Sequence, residues 1–251
     1  MGLLAIGWAY RAIRPPPPKI CGSPGGPPIT APRIKLRDGR NLAYKEHGVP
    51  AQVAKYKIIF VHGLSACRHS PVILKSLPQE FIEELGLHIL SFDKPGYGES
   101  DPHPKQTLKS LALDIEELVD QLELGSKFYV IGYSIGSHLI GTQINKAHVF
   151  QQGEFESVHR TMLVGFGNWE FSPIDLENPF PNNEVSVHLW QGDEDKLVDV
   201  ELQRFIAKKL PWIQYHELTG AGHFFPYAVG MSQVIMKTLL FGKKQQNVDL
   251  I

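Results

Sequence analysis

Short apolar runs alternating with stretches of helical periodicity constrain this chain more than any other feature. "KYKIIFVHG" (55–63), "LHILSFD" (87–93) and "KFYVIG" (127–132) are brief, rich in β-branched and aromatic residues, and end in glycine or aspartate. Leu77, Phe81, Ile82 and Leu85 share one helical face, and Ser76 and Pro78 can open that helix while Gly86 stops it. Leu108, Leu111, Ile115, Leu118, Val119 and Leu122 repeat at helical spacing until Gly125. Continuous apolar strands with helices between them predict a mostly parallel, doubly wound α/β sheet covered on both faces. Ahead of it, "RIKLRDGRNLAYKEHG" is two alternating runs joined at Asp38-Gly39, which predicts an N-terminal antiparallel hairpin.

Composition removes several function classes. With 251 residues, 43% of them hydrophobic, the chain can bury one sizeable core. A net charge of -1 without a basic run offers no footprint for nucleic acid. Cys21 and Cys67 alone make neither a disulfide framework nor a zinc site, which favours a reducing compartment. No HExxH, GxxxxGK or GxGxxG occurs, so no metal, nucleotide or other cofactor is expected. "GLLAIGWAY" near the start is too short to span a bilayer. It reads either as an apolar cap on the domain or as the remnant of a membrane anchor giving weak membrane association. Ile6 breaks the myristoylation pattern. Cytoplasmic and anchored locations both stay open. Residues 1–32, with Pro15–Pro18, read as a stub and linker, 33–243 as the folded domain and 244–251 as a tail.

Chemistry gathers at the carboxyl ends of such strands. "VIGYSIGSHLIG" (130–141) places Ser134 between Gly132 and Gly136 where a strand becomes a helix. A nucleophile there needs a sharp turn with small neighbours, and Ile135, opening the helix, can aim its N–H at an oxyanion. Serine needs a base, and the base an orienting acid. The strand "VHLWQG" turns into Asp193, Glu194 and Asp195, and "WIQYHELTGAGHFFP" ends in a loop carrying His223. His216 is the weaker base because it lies within the strand. The order Ser134, acid, His223, each after its own strand, predicts a catalytic triad.

As a set these stretches resemble the α/β-hydrolase superfamily, in particular a plant group of α/β-hydrolase-like proteins of uncharacterised substrate. The likeness is carried by "KIIFVHG", "SFDKPGYGESDPHPK", "QLELGSKFYVIGYSIG", "NPFPNNEVSVHLWQGDEDKLV" and "YHELTGAGHFFP", together with "PPPPKICGSPGGPPITAPRIKLRDGRNLAYKEHG". The resemblance implies Ser134 as nucleophile, His223 as base and Asp195 as acid, with Asp193 in reserve. It also implies an oxyanion hole from the N–H groups of Leu64 and Ile135, and a structural turn at "DKPGYGES". Serine at the nucleophile position argues against the aspartate chemistry of dehalogenases and epoxide hydrolases.

One departure stands out. Relatives of this kind carry a sixth strand and usually a helical lid after the nucleophile helix, yet Asp195 follows Ser134 by only 61 residues. "TMLVG" is the one candidate strand, but Phe155, Val158, Met162, Leu163 and Phe166 recur at helical spacing. A helix is therefore expected there, with the sixth strand and lid missing. Two functions follow: a serine hydrolase of small acyl compounds, its activity impaired by the gap, or a non-catalytic or inactive form of the same scaffold.

Overall fold

The computed structural model describes residues 14–134, 148–180, 182 and 186–242. The chain divides into two compact units, Met1–Ser70 with Leu85–Asn168, and Pro71–Glu84 with Trp169–Ile251.

The first unit is built on a five-stranded sheet of β1 (Arg33–Lys35), β2 (Asn41–Gly48), β3 (Tyr56–Val61), β4 (Leu87–Phe92) and β5 (Tyr129–Gly132). The order is β1-β2-β4-β3-β5. β1 pairs antiparallel with β2 across the Asp38-Gly39 turn, Ile34 facing Leu42. β2 runs antiparallel to β4, and β3 lies parallel to both β4 and β5. The apolar runs become strands for the expected reason: every residue of β4 is buried, as are Ile58, Ile59 and Phe60 of β3. A fully buried Ile or Leu contributes about 1.5–3 kcal/mol, so these strands hold the sheet's centre. Helix α2 (Leu108–Gln121) begins at a Thr107–Ser110 capping box and packs Leu118 and Val119 against Leu42, Ile59, Leu90 and Phe92. It ends before Glu123 and Gly125, both with positive φ.

Residues 155–165 are helical, a wide turn at Phe155–His159 running into α3 (Arg160–Gly165). "TMLVG" is thus helix, as its spacing indicates. That spacing does not mark a buried face, however: Leu163 is 64% exposed and Phe166 74%.

Residues 14–32 contain no strand or helix but are bonded into this unit. The Thr30 and Ala31 N–H groups donate to Glu99 Oε2 at 2.7 and 3.0 Å, and Lys19 N–H donates to the Gln152 carbonyl. Glu99 also binds Arg68 Nη2 at 2.6 Å, while Arg68 Nη1 binds Asp93. All three ionic side chains are buried. The "DKPGYGES" turn is structural: Asp93 accepts from Arg68 N–H and Glu99 N–H, and Ser100 Oγ ties its carbonyl to Ala43.

In the second unit β6 (Val187–Gly192) and β7 (Ile213–Leu218) pair in parallel, Val187 facing Ile213 and Gly192 facing Leu218. Helices α1 (Gln79–Leu85, all but its last residue in this unit), α4 (Val200–Lys209) and α5 (Met231–Phe241) complete it. Asp199 caps α4, and Ser76 Oγ meets Ser232 Oγ at 2.7 Å.

Candidate active site

Ser134 lies two residues past the end of β5, with Tyr133 N–H still donating to the Val61 carbonyl. Its φ is +34°, a left-handed conformation that a non-glycine residue adopts only when its surroundings enforce it. The tight contact lies across the sheet instead of within the motif. A Cβ at Gly63 would stand 2.6 Å from the Ser134 carbonyl oxygen, whereas one at Gly132 meets no described atom within 4 Å. Among the described residues, the glycine that makes room for the serine turn is therefore Gly63. Leu64, the next residue, is buried, and Ser65 after it has φ +53°. Ile135 and the remainder of the GxSxG motif lie outside the described residues.

His62, within "KIIFVHG", joins two strand ends. Lys94 N–H donates to its Nε2 at 3.0 Å, so Nδ1 carries the hydrogen and donates to the Gly63 carbonyl at 2.8 Å. Burial first, then the nearby Lys94 charge, push its pKa well below the ordinary value and keep the ring neutral.

In the second unit the loops after β6 and β7 bring Asp195 and His223 together. Asp195 Oδ2 lies 2.7 Å from His223 Nδ1, and both side chains are buried. Asp195 is held on all sides: Gln191 Nε2 donates to Oδ2 at 3.0 Å, and the Leu197 and Val198 N–H groups donate to Oδ1 at 2.8 and 2.9 Å. Burial alone would raise its pKa. The Val198 N–H, the His223 ring and the Leu197 N–H outweigh that and hold it below the ordinary carboxylate value. An ionised Asp195 fixes the hydrogen of His223 on Nδ1 and leaves Nε2 with the lone pair. Gly192 makes the pairing geometrically feasible, because a Cβ there would collide with the Ala221 carbonyl oxygen. Asp193 turns to another task, accepting from Gly220 N–H at 2.7 Å within the loop before His223. His216 sits inside β7, its Nε2 2.9 Å from His188 Nδ1 and its ring stacked on Trp190.

A buried aspartate–histidine pair at the ends of neighbouring parallel strands can accept and return a proton without migrating. Among the described residues no group of three or more His, Cys, Asp or Glu is arranged to hold a metal ion.

A family model described as the alpha/beta hydrolase fold matches residues 56–142. A carboxylesterase structure from the thaumarchaeon Nitrososphaera gargenis superposes with a TM-score of 0.60 at 15% identity, covering 83% of this chain and 97% of that one. The chain has the α/β-hydrolase fold. An enol-lactonase from Burkholderia xenovorans shares this hydrolase fold at TM-score 0.60, 15% identity and 83% and 98% coverage. A hydrolase from Pseudomonas aeruginosa does so at TM-score 0.61, 16% identity and 84% and 98% coverage. Among curated relatives the mouse protein ABHD14A is 25% identical over 121 residues, a match spanning 48% of this chain and about half, 48%, of that relative.

Proposed function

We propose that this chain is a serine hydrolase of an ester or related acyl compound, working through an acyl-enzyme on Ser134. The observation that carries the reading is the buried 2.7 Å contact between Asp195 and His223, each on the loop after its own strand. It is supported by the left-handed turn at Ser134 after β5 and by a fold shared with a carboxylesterase and an enol-lactonase.

His223 Nε2 takes the proton from Ser134 Oγ as the oxygen attacks the acyl carbon. The carbonyl oxygen becomes an oxyanion held by the N–H groups of Leu64 and Ile135. Collapse expels the alcohol, which leaves with the proton from His223. Water, deprotonated by the same ring, attacks the acyl-enzyme, the carboxylic acid departs, and Ser134 regains its proton. Asp195 keeps the imidazole in the working tautomer and stabilises its charged form.

The missing sixth strand and lid belong to this proposal. The 61-residue interval and the helix at Arg160–Gly165 support it, and an open site exposes the acyl-enzyme to water, giving weak turnover. The same features favour the second reading, an inactive form of the scaffold. The plant affiliation rests on the quoted sequence likeness. Weak membrane attachment through residues 2–10 is likewise a proposal, since no helix among the described residues is long and apolar enough to cross a bilayer.

A serine-directed fluorophosphonate decides the reading. Labelling of the wild type, lost in Ser134→Ala, supports the hydrolase. Labelling that persists in Ser134→Ala overturns the nucleophile assignment, and no labelling of the wild type supports the inactive form. Inserting a strand-plus-lid segment after Gly141 should raise both melting temperature and labelling.

A further inference from the structure

Lys94 is a lysine in the wrong place for a structural role. It follows β4 at the carboxyl end of the first unit's sheet, and only 6% of its surface is exposed. Buried ammonium groups are normally paired. Among the described residues, however, no carboxylate or carbonyl lies within bonding distance of Lys94 Nζ, whose nearest described partner is the face of Tyr97, 5.1 Å to the ring centre. Tyr97 is itself fully buried, stacks edge-on with His62 at 4.9 Å and donates to Thr161 Oγ1 at 3.0 Å. One cation thus stands beside two neutral rings, His62 and Tyr97, whose own donors are already used.

The position of this cation in the fold gives it meaning. The strand order β4-β3-β5 puts Lys94, the His62–Leu64 turn and Ser134 at three consecutive strand ends along one sheet edge. Two strand spacings separate the Lys94 end from the Ser134 end, about 10 Å. The Lys94 backbone also contacts the turn directly through His62. A short acyl chain bound at Ser134 and the length of the lysine side chain can together cover that interval.

We propose that Lys94 is the specificity residue of the site, pairing with a carboxylate carried by the acyl substrate, so that the preferred substrate class is a half-ester of a short dicarboxylic acid. A single buried ammonium matches a single negative charge. A phosphate dianion would leave one charge unbalanced in a desolvated place, which is costly. The lowered Lys94 pKa of about 8, caused by burial, fits an ammonium awaiting its counter-ion. The inference rests on the hydrolase reading for its substrate, while the binding site itself does not.

The test uses two probes and two readouts. Hydrolysis is compared for the 4-nitrophenyl half-ester of glutaric acid and for 4-nitrophenyl butyrate, in wild type and Lys94→Met. The wild type should favour the half-ester at least 10-fold in kcat/KM, and the preference should collapse at least 10-fold in Lys94→Met, mostly through KM. A ratio that Lys94→Met leaves unchanged overturns the proposal. Binding of glutarate as its monomethyl ester, which carries one negative charge, is measured separately by calorimetry on Ser134→Ala and on Ser134→Ala/Lys94→Met. If neither nitrophenyl ester is hydrolysed but monomethyl glutarate binds Ser134→Ala and not the double variant, the hydrolase reading falls and the Lys94 site stands. If the butyrate ester is hydrolysed and monomethyl glutarate binds both variants alike, or neither, the Lys94 site falls and the hydrolase stands.

Discussion

Asp195 meets His223 through Oδ2 while its Oδ1 is occupied by the Leu197 and Val198 N–H groups, so the carboxylate has one oxygen for the imidazole and one for its own loop. The division separates the two neighbouring aspartates sharply. Asp195→Asn should cut fluorophosphonate labelling by about 10²–10⁴, because an amide donor facing Nδ1 stabilises the wrong tautomer. Asp193→Asn keeps an acceptor for Gly220 N–H and should change the rate less than about 3-fold. Equal losses in the two variants would remove Asp195 from its role.

The role proposed for Lys94 carries a stability cost that depends on pH. Its folded pKa of about 8 lies below the unfolded value near 10.4. The unfolded chain therefore binds more protons between those values, and stability rises with pH across that window. Below about pH 8 the full penalty of burying the ammonium is present. Lys94→Met should accordingly stabilise the protein at pH 7, by about 1–3 kcal/mol, and the advantage should shrink by pH 10. Thermal melts of both proteins at the two pH values check it; a destabilised Lys94→Met would assign the lysine a structural role.

Gly63 packs against the Ser134 carbonyl, so even a methyl group must move backbone. Gly63→Ala should lower stability by about 1–3 kcal/mol and reduce labelling beyond what that loss explains. Gly132→Ala, which meets no described atom within 4 Å, provides the comparison. The two variants ranking the other way in denaturant titrations and labelling would contradict this reading.

Arg68 neutralises two buried carboxylates, Asp93 and Glu99. Removing it as Arg68→Met leaves both uncompensated, a loss of about 3–5 kcal/mol. Glu99→Gln should be milder, since the amide oxygen can still accept from Thr30 and Ala31. It should nevertheless loosen the segment before β1, seen as faster proteolytic cleavage within residues 14–32.

The elements legible in the sequence were those whose signal is local. Asp38-Gly39 marks a hairpin because turn chemistry is set within a few residues, and Leu118 marks a helix face because its period is short. Asp195 and His223 were found from chain order, and the choice of Asp195 over Asp193 needed the family resemblance. What stayed hidden depends on partners distant in sequence. Gly63 looks like any glycine until Ser134 is set against it. The burial of Lys94 against Tyr97 has no local signal, and His62 shows its part only when Lys94 supplies an N–H. Residues 14–32 lack periodicity because their bonds go to Glu99 and Gln152, far along the chain.

The hydrogen bonds from Thr30 and Ala31 to Glu99 move the edge of the fold. A boundary drawn at Arg33, where regular structure begins, cuts through an ion cluster that reaches from the proline-rich coil to the turn after β4. A substitution in that coil is then felt at the turn that carries Glu99. Versions of this protein trimmed to the first strand would carry a buried glutamate stripped of three of its donors, and their poor behaviour would be mistaken for a defect of the sheet itself.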